Sequence, residues 1–352
     1  MNNEECDMKK ISFYDAKSYD KEFFDSLSHK YGFEMLYHES KLSKRTTILS
    51  QGCDAVCAFV NDTLDEPALK GLYDLGIHAV GLRCAGFNNV DLKYAYDKIH
   101  ILRVPAYSPY AVAEHAMGML LTLNRKLHRA YNRTRDFNFS LNGLTGFDLH
   151  GKTIGVIGVG KIGQVFVDIC KGFGLQVLAF DPYPIENSGI QYVSLEEIFE
   201  KSDIISLHCP LTKDSYHLIN KESIDRMKKG VYLINTSRGA LIDSEALLDE
   251  IKSGKIGAAA LDVYEEESDF FFEDFSDTII QDDVLTLLLS MPNVLVTSHQ
   301  AYLTREALIN IAETTLENLN AFFAGKELVN EVCYHCSKEF VNCQRKLNKP
   351  CF

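Results

Sequence analysis

Residues 153–163 read TIGVIGVGKIG. A short apolar stretch, Thr153 to Ile157, runs into Gly158-x-Gly160-x-x-Gly163. The next residues place Ile162, Val165, Phe166 and Ile169 on one face of a helix. A second strand is expected over Gln176 to Phe180, and it ends on Asp181, 18 positions after Gly163. Each part of this βαβ unit has a physical task. Gly158 permits the tight turn, Gly160 lets backbone approach a pyrophosphate, and Gly163 lets the helix pack on the strand. The helix N-terminus offers unpaired N–H groups to phosphate oxygens. Asp181 can accept bonds from a ribose 2′-hydroxyl and would repel a 2′-phosphate, which points to NAD rather than NADP.

About 150 residues precede this turn, so it does not open the chain. The 352 residues suffice for two cores. Working upstream, strands are expected at Lys10–Tyr14, Phe33–Tyr37, Asp54–Val60, Ile77–Leu82 and Ile99–Val104. Helices are expected at Asp20–His29 and Glu66–Leu75. Ser108-Pro109 is a helix start signal, with a hydroxyl followed by proline at the first helical position. A long helix is expected from there toward Arg129. Its broad apolar surface suggests burial between domains or subunits. Downstream, Ser194 and Glu197 have capping-box spacing. Strands are expected at Ile204–His208, Val231–Asn235, Ala258–Val263 and Val294–Thr297, and a last long helix at Thr304–Phe323.

Alternating strands and helices specify parallel sheets. The expected fold class is α/β, with two doubly wound, Rossmann- or flavodoxin-like domains and a cleft between them. Residues 1–105 and 303–333 would form a discontinuous substrate domain. Residues 106–302 would form the NAD-binding domain, leaving 334–352 as a disordered tail.

The net charge is −13, which disfavours nucleic acid or an anionic membrane surface as a partner. The opening MNNEECDMKK has no apolar targeting core, and no run reaches the length of a membrane span. The chain is therefore expected in the cytoplasm, with its ten cysteines as free thiols. Four of them, Cys333, Cys336, Cys343 and Cys351, crowd the tail, with His335 among them. Their spacing lacks paired short knuckles, so no metal site is expected.

Reduction of a keto acid by a nicotinamide needs a cation for the carboxylate, best a bidentate arginine. It needs a proton donor for the carbonyl oxygen, for which histidine is suited, and a carboxylate that fixes the histidine tautomer. Three late segments offer these at expected strand ends. NTSRGALID carries Arg238, ALDVYEEE carries Asp262 and Glu265 to Glu267, and VTSHQAY carries His299. By themselves, an arginine after a strand or a single histidine is usually structural.

The order of glycine turn, Arg, Glu and His resembles the D-2-hydroxyacid dehydrogenase family. The stretches LRCAGFNNVD (82–91), VPAYSP (104–109), VAEHAMGMLLTLNR (112–125), FSLNGLTGFDLHGK (139–152), HCPLT (208–212) and FFFEDFSD (270–277) extend that resemblance over residues 10–332. They are similar to its fermentative D-lactate dehydrogenases. The resemblance implies that Arg238 holds the substrate carboxylate, His299 is the acid/base and Glu267 is its partner, with Glu265 and Glu266 as neighbours of the same type. It implies that the Cys84-Ala85-Gly86 backbone grips the carboxylate, and that Tyr107 and Tyr302 line the substrate pocket. It implies NAD contacts at Gly158, Gly160, Lys161, Ile162, Gly163, Asp181, Cys209, Pro210, Thr236, Ser237, Arg238 and Asp262. His115 is expected to pack rather than react. The implied reaction is pyruvate to D-lactate with NADH, in a homodimer or homotetramer. The alternatives are a reductase of a bulkier 2-keto acid, or an NADH-sensing binding protein on the same fold.

Overall fold

In the computed structural model, which describes residues 8–267 and 270–335, the chain leaves its first sheet at Pro109 and returns to it at Thr304. One unit comprises the described residues of Met1–Ser108 and Thr304–Phe352, and the other Pro109–Leu303. Both boundaries fall on helix starts. Pro109 is the first residue of a helix, and Thr304 caps another by accepting from the Ala307 N–H at 3.3 Å. The divisions, at 108/109 and 303/304, therefore lie a little beyond the expected 105/106 and 302/303.

In chain order the first unit contains β1 (Lys9–Phe13), α1 (Ser18–Ser28), β2 (Phe33–Tyr37), β3 (Ala55–Ala58), α2 (Glu66–Asp74), β4 (Ala79–Leu82), α3 (Leu92–Ala95) and β5 (His100–Arg103). The second contains α4 (Pro109–Arg125), α5 (Leu127–Arg135), β6 (Thr153–Ile157), α6 (Lys161–Gly172), β7 (Gln176–Phe180), β8 (Gln191–Tyr192), α7 (Leu195–Lys201), β9 (Ile204–Leu207) and α8 (Lys221–Arg226). It continues with β10 (Val231–Asn235), α9 (Ser244–Lys252), β11 (Ile256–Leu261), α10 (Asp283–Ser290) and β12 (Val294–Val296). The chain then gives α11 (Arg305–Phe323) and β13 (Glu331–Val332) back to the first unit.

The first sheet runs β13-β5-β4-β3-β1-β2. Its first five strands by sequence have the flavodoxin-like 2-1-3-4-5 order, all parallel. β13 pairs antiparallel with β5, a departure from the expected all-parallel sheet. The second sheet runs β12-β11-β10-β9-β6-β7-β8, wholly parallel, with the order reversal of a Rossmann fold at β6 and β9. Its strands are apolar on both faces because helices cover both. Ile154 and Val156 face a cluster with Phe166, Val167 and Cys170, while Ile157, Ile205 and Leu207 face another with Ile219, Leu247 and Tyr264.

Three local expectations are corrected. The helix expected to reach Arg129 stops at Arg125, because Lys126 takes a left-handed φ of +52° and starts α5. The apolar surface of α4 is buried inside its own unit, where Ala113, Ala116, Met117 and Leu120 join the Phe166 cluster. Only half of the Ser194 capping box forms. Ser194 accepts from the Glu197 N–H, but the Glu197 carboxylate reaches forward to Lys201 at 2.5 Å.

No helix among the described residues is long and apolar enough to cross a membrane. Cys53, Cys57, Cys84, Cys170, Cys209 and Cys333 are free thiols. Cys333 is buried, and His335 sets its ring edge-on to Tyr96 at 5.0 Å. The expectation for Cys336, Cys343 and Cys351 lies outside the described residues.

Candidate active site

The site builds outward from the carboxyl ends of the second unit's strands. After β6, Gly158 has φ +92°, and a Cβ there would lie 2.6 Å from the backbone of His208 and Cys209. Only glycine makes this turn. A Cβ on Gly160 would meet nothing within 4 Å, so this backbone faces open space. Gly160 is the N-cap of α6 and supplies no side-chain cap, which leaves the first-turn N–H groups of Lys161 and Ile162 open to an anion. Lys161 is exposed, Ile162 half-buried and Gly163 buried against the Gly158 carbonyl. At the end of β7, Asp181 accepts from the Val159 N–H at 2.7 Å and the Tyr183 N–H at 2.8 Å. The acid is thereby fixed beside the glycine turn, with lone pairs remaining on both oxygens.

Two further strand ends, those of β9 and β10, follow on one side of this turn in the sheet. Past β9, Cys209 is half-buried and Pro210 exposed. Burial pushes the Cys209 thiol up to about 11, so it is no nucleophile at neutral pH. Past β10, the Thr236 hydroxyl is buried and has no hydrogen-bond partner among the described residues. Ser237 donates from Oγ to the Leu207 carbonyl at 3.0 Å, tying the ends of β9 and β10 together. An open, uncapped helix start, a fixed acid and an orphaned hydroxyl together fit a dinucleotide.

Arg238 follows at once. It is half-buried, and Nη1 donates to the Ser237 carbonyl at 2.6 Å. Among the described residues no carboxylate pairs with it, so its remaining guanidinium donors suit an external anion. The following Gly239 permits a close approach. A Cβ there would fall 2.0 Å from the Tyr264 carbonyl carbon. The Arg238 turn consequently lies flush against the segment carrying Glu265 to Glu267.

The three glutamates are sorted by the structure. Glu267 Oε1 lies 2.9 Å from His299 Nδ1, and its Oε2 accepts from the Tyr264 N–H at 3.1 Å. Glu265 turns instead to His217 Nε2 at 2.6 Å, and Glu266 is exposed. With a carboxylate on Nδ1, the tautomer carries its proton there and presents Nε2 outward. Nε2 makes no hydrogen bond among the described residues.

His299 sits at φ +52°, a left-handed conformation that is uncommon for a non-glycine residue. Its N–H donates to the Asp262 carbonyl at 2.7 Å. The Asp262 side chain is fully buried and accepts from Thr297 Oγ1 at 2.6 Å, Gln300 N at 2.9 Å and Ala301 N at 2.9 Å. Burial alone would raise this carboxyl, but bonds from His115, Thr297 and Ala301 outweigh it and hold it below the usual range. Asp262 thus organises the loop under His299 from within. His115 takes part in this, with Nε2 3.3 Å from Thr297 Oγ1 and 3.4 Å from Asp262 Oδ1. The supporting roles of His217, Thr297 and His115 have no signature in sequence spacing. They depend on partners 35 to 182 positions away.

The remaining substrate candidates are distributed between the units. Tyr302 is half-buried and belongs with His299 in the second. Cys84, Ala85, Gly86 and Tyr107 belong to the first, where Cys84–Gly86 follow β4 and Cys84 Sγ lies 3.3 Å from the Gly86 carbonyl.

Comparison with known proteins supplies the family. Residues 117–301 match the model described as "D-isomer specific 2-hydroxyacid dehydrogenase, NAD binding domain". The chain is 52% identical to D-lactate dehydrogenase of Escherichia coli over 327 residues, covering 92% of this chain and 99% of that one. It is 51% identical to a 2-hydroxyacid dehydrogenase homolog of Haemophilus influenzae, over 92% and 99% of the two chains. The structure is similar to one described under "Identification of the pyruvate reductase of Chlamydomonas reinhardtii", with TM-score 0.88 and 45% identity over 92% and 98% of the chains. The protein belongs to the D-isomer-specific 2-hydroxyacid dehydrogenase family, as an NAD-binding oxidoreductase.

Proposed function

We propose that the protein is a D-lactate dehydrogenase that reduces pyruvate with NADH. The observation that carries this is the His299–Glu267 pair, 2.9 Å apart through Nδ1, with Nε2 unengaged. Bound NADH supplies the hydride. His299 Nε2 delivers a proton to the carbonyl oxygen while Glu267 stabilises the charged ring. Arg238, which has no carboxylate partner among the described residues, holds the substrate carboxylate and sets the angle of the carbonyl. Cys84–Gly86 add backbone donors to that carboxylate, and Tyr107 and Tyr302 limit the substituent on the other side. The D-lactate dehydrogenase and pyruvate reductase names of similar proteins support pyruvate as the substrate.

Initial rates of NADH oxidation with pyruvate, 2-ketobutyrate and phenylpyruvate test the substrate. Pyruvate should give the highest kcat/KM, and a preference for phenylpyruvate would move the reading to bulkier keto acids.

We further propose a homo-oligomer. The stretch that begins with α5 exposes Leu127, Tyr131, Phe137, Phe139 and Leu141, with Phe137 at 84% and Leu141 at 81%. Clustered exposure of this kind marks an association surface. Sedimentation at micromolar concentration should give a dimer or tetramer, and a monomer would refute it.

A further inference from the structure

The carboxylate-gripping role of Cys84–Gly86 requires its amide N–H groups to point at a ligand, and the structure shows what turns them. The inference rests on the proposed reading of that loop. Two consecutive carbonyls are drawn toward the end of β5. Cys84 O accepts from the Val104 N–H at 3.1 Å, and Ala85 O accepts from Arg103 Nη1 at 2.8 Å. No described peptide is cis. In a planar trans unit the carbonyl and the following N–H lie on opposite edges. Fixing these two oxygens therefore sends the N–H groups of Ala85 and Gly86 away from β5. Neither N–H has a partner among the described residues. Adjacent unpaired amides are a known form of anion cradle.

Arg103 is itself fastened on several sides. Its N–H donates to the Asn330 carbonyl at 3.1 Å, and its carbonyl accepts from Asn318 Nδ2 at 2.9 Å. Asn330 Nδ2 closes the ring on Asn318 Oδ1 at 2.9 Å. The guanidinium also lies over the Phe87 ring, 5.2 Å from its centroid. One side chain thus grips the loop both before and after Gly86.

We propose that Arg103 is a positioning residue for substrate. By holding the Ala85 carbonyl and the Phe87 ring, it orients the Ala85 and Gly86 N–H groups toward the keto-acid carboxylate without touching it.

The test is steady-state kinetics of the full chain with pyruvate at saturating NADH, together with the dissociation constant of oxamate, an uncharged-amide analogue that keeps the carboxylate. Arg103→Met should raise both the pyruvate KM and the oxamate dissociation constant about tenfold, the pattern of lost ground-state binding. Its kcat should stay within about twofold and its NADH KM should be unchanged. A folded Met variant with the wild-type pyruvate KM overturns the proposal. So does one in which NADH KM and kcat change together with it, because that assigns Arg103 to general stability. If the Met variant does not fold, Arg103→Lys decides. Lysine can donate to Ala85 but cannot lie flat on Phe87, so KM should rise about threefold; a wild-type KM there overturns the proposal. Wild-type protein inactive with every 2-keto acid would instead remove the dehydrogenase reading, and the loop's role with it.

Discussion

His299 is held in an uncommon backbone conformation by bonds that begin far from it in sequence. Its φ of +52° is maintained by the Asp262 carbonyl on its N–H, while the Asp262 carboxylate fixes Thr297, Gln300 and Ala301 around it. Such strain persists only where surrounding groups over-determine it, and it gathers at functional sites. Replacing His299 by Gln removes the proton donor and keeps the size. Turnover of pyruvate should fall ~10²- to 10⁴-fold with NADH affinity within about twofold, measured by single-wavelength kinetics and fluorescence titration. Retention of more than half the rate would take His299 out of the chemistry. At this scale the types of group needed, a cation, an acid/base and a carboxylate, were legible from VTSHQAY and its companions. Sequence spacing alone could not say which of Glu265 to Glu267 faces the histidine. That depends on Gly239 seating the Arg238 turn against Tyr264 and on His217 taking Glu265.

The β6–α6–β7 element carries the cofactor choice. Its strands lie where the sequence puts them, Thr153–Ile157 and Gln176–Phe180, because apolar runs bounded by Gly158 and Asp181 admit little latitude. Asp181 joins the element's two ends through the Val159 and Tyr183 N–H groups, which settles where its charge stands. Repulsion of a 2′-phosphate by that carboxylate, even screened to ~3 kcal/mol, is a factor of roughly a hundred in kcat/KM. Wild-type protein should therefore prefer NADH strongly. Asp181→Ser should weaken NADH use and improve NADPH use; equal wild-type efficiency with both cofactors would overturn this account of the element. Other elements were less legible. The α4–α5 break rests on the left-handed Lys126, whose immediate neighbours Arg125 and Leu127 are good helix formers, so local propensity does not place it there. The two-residue strand β13 has no period to detect, and only its pairing with Leu102 and Ile101 defines it.

Over the whole molecule, one α/β unit is inserted in another, and the insertion could be read because the glycine turn starts so late and the alternation resumes after it. The segments change unit at Pro109 and Thr304, residues chosen by helix initiation rather than by any composition shift. The proposed homo-oligomer has no signature in a strand or helix pattern, since the proposal rests on exposed apolar side chains such as Phe137 and Phe139 that a sequence does not distinguish from buried ones. The central claim is that these parts together reduce pyruvate to D-lactate. The direct measurement is to incubate the full chain with pyruvate and NADH, follow NADH loss, and resolve the product by chiral chromatography. The account predicts one D-lactate formed per NADH consumed, with no L-lactate. L-lactate, a racemate, or no NADH consumption with pyruvate would contradict it.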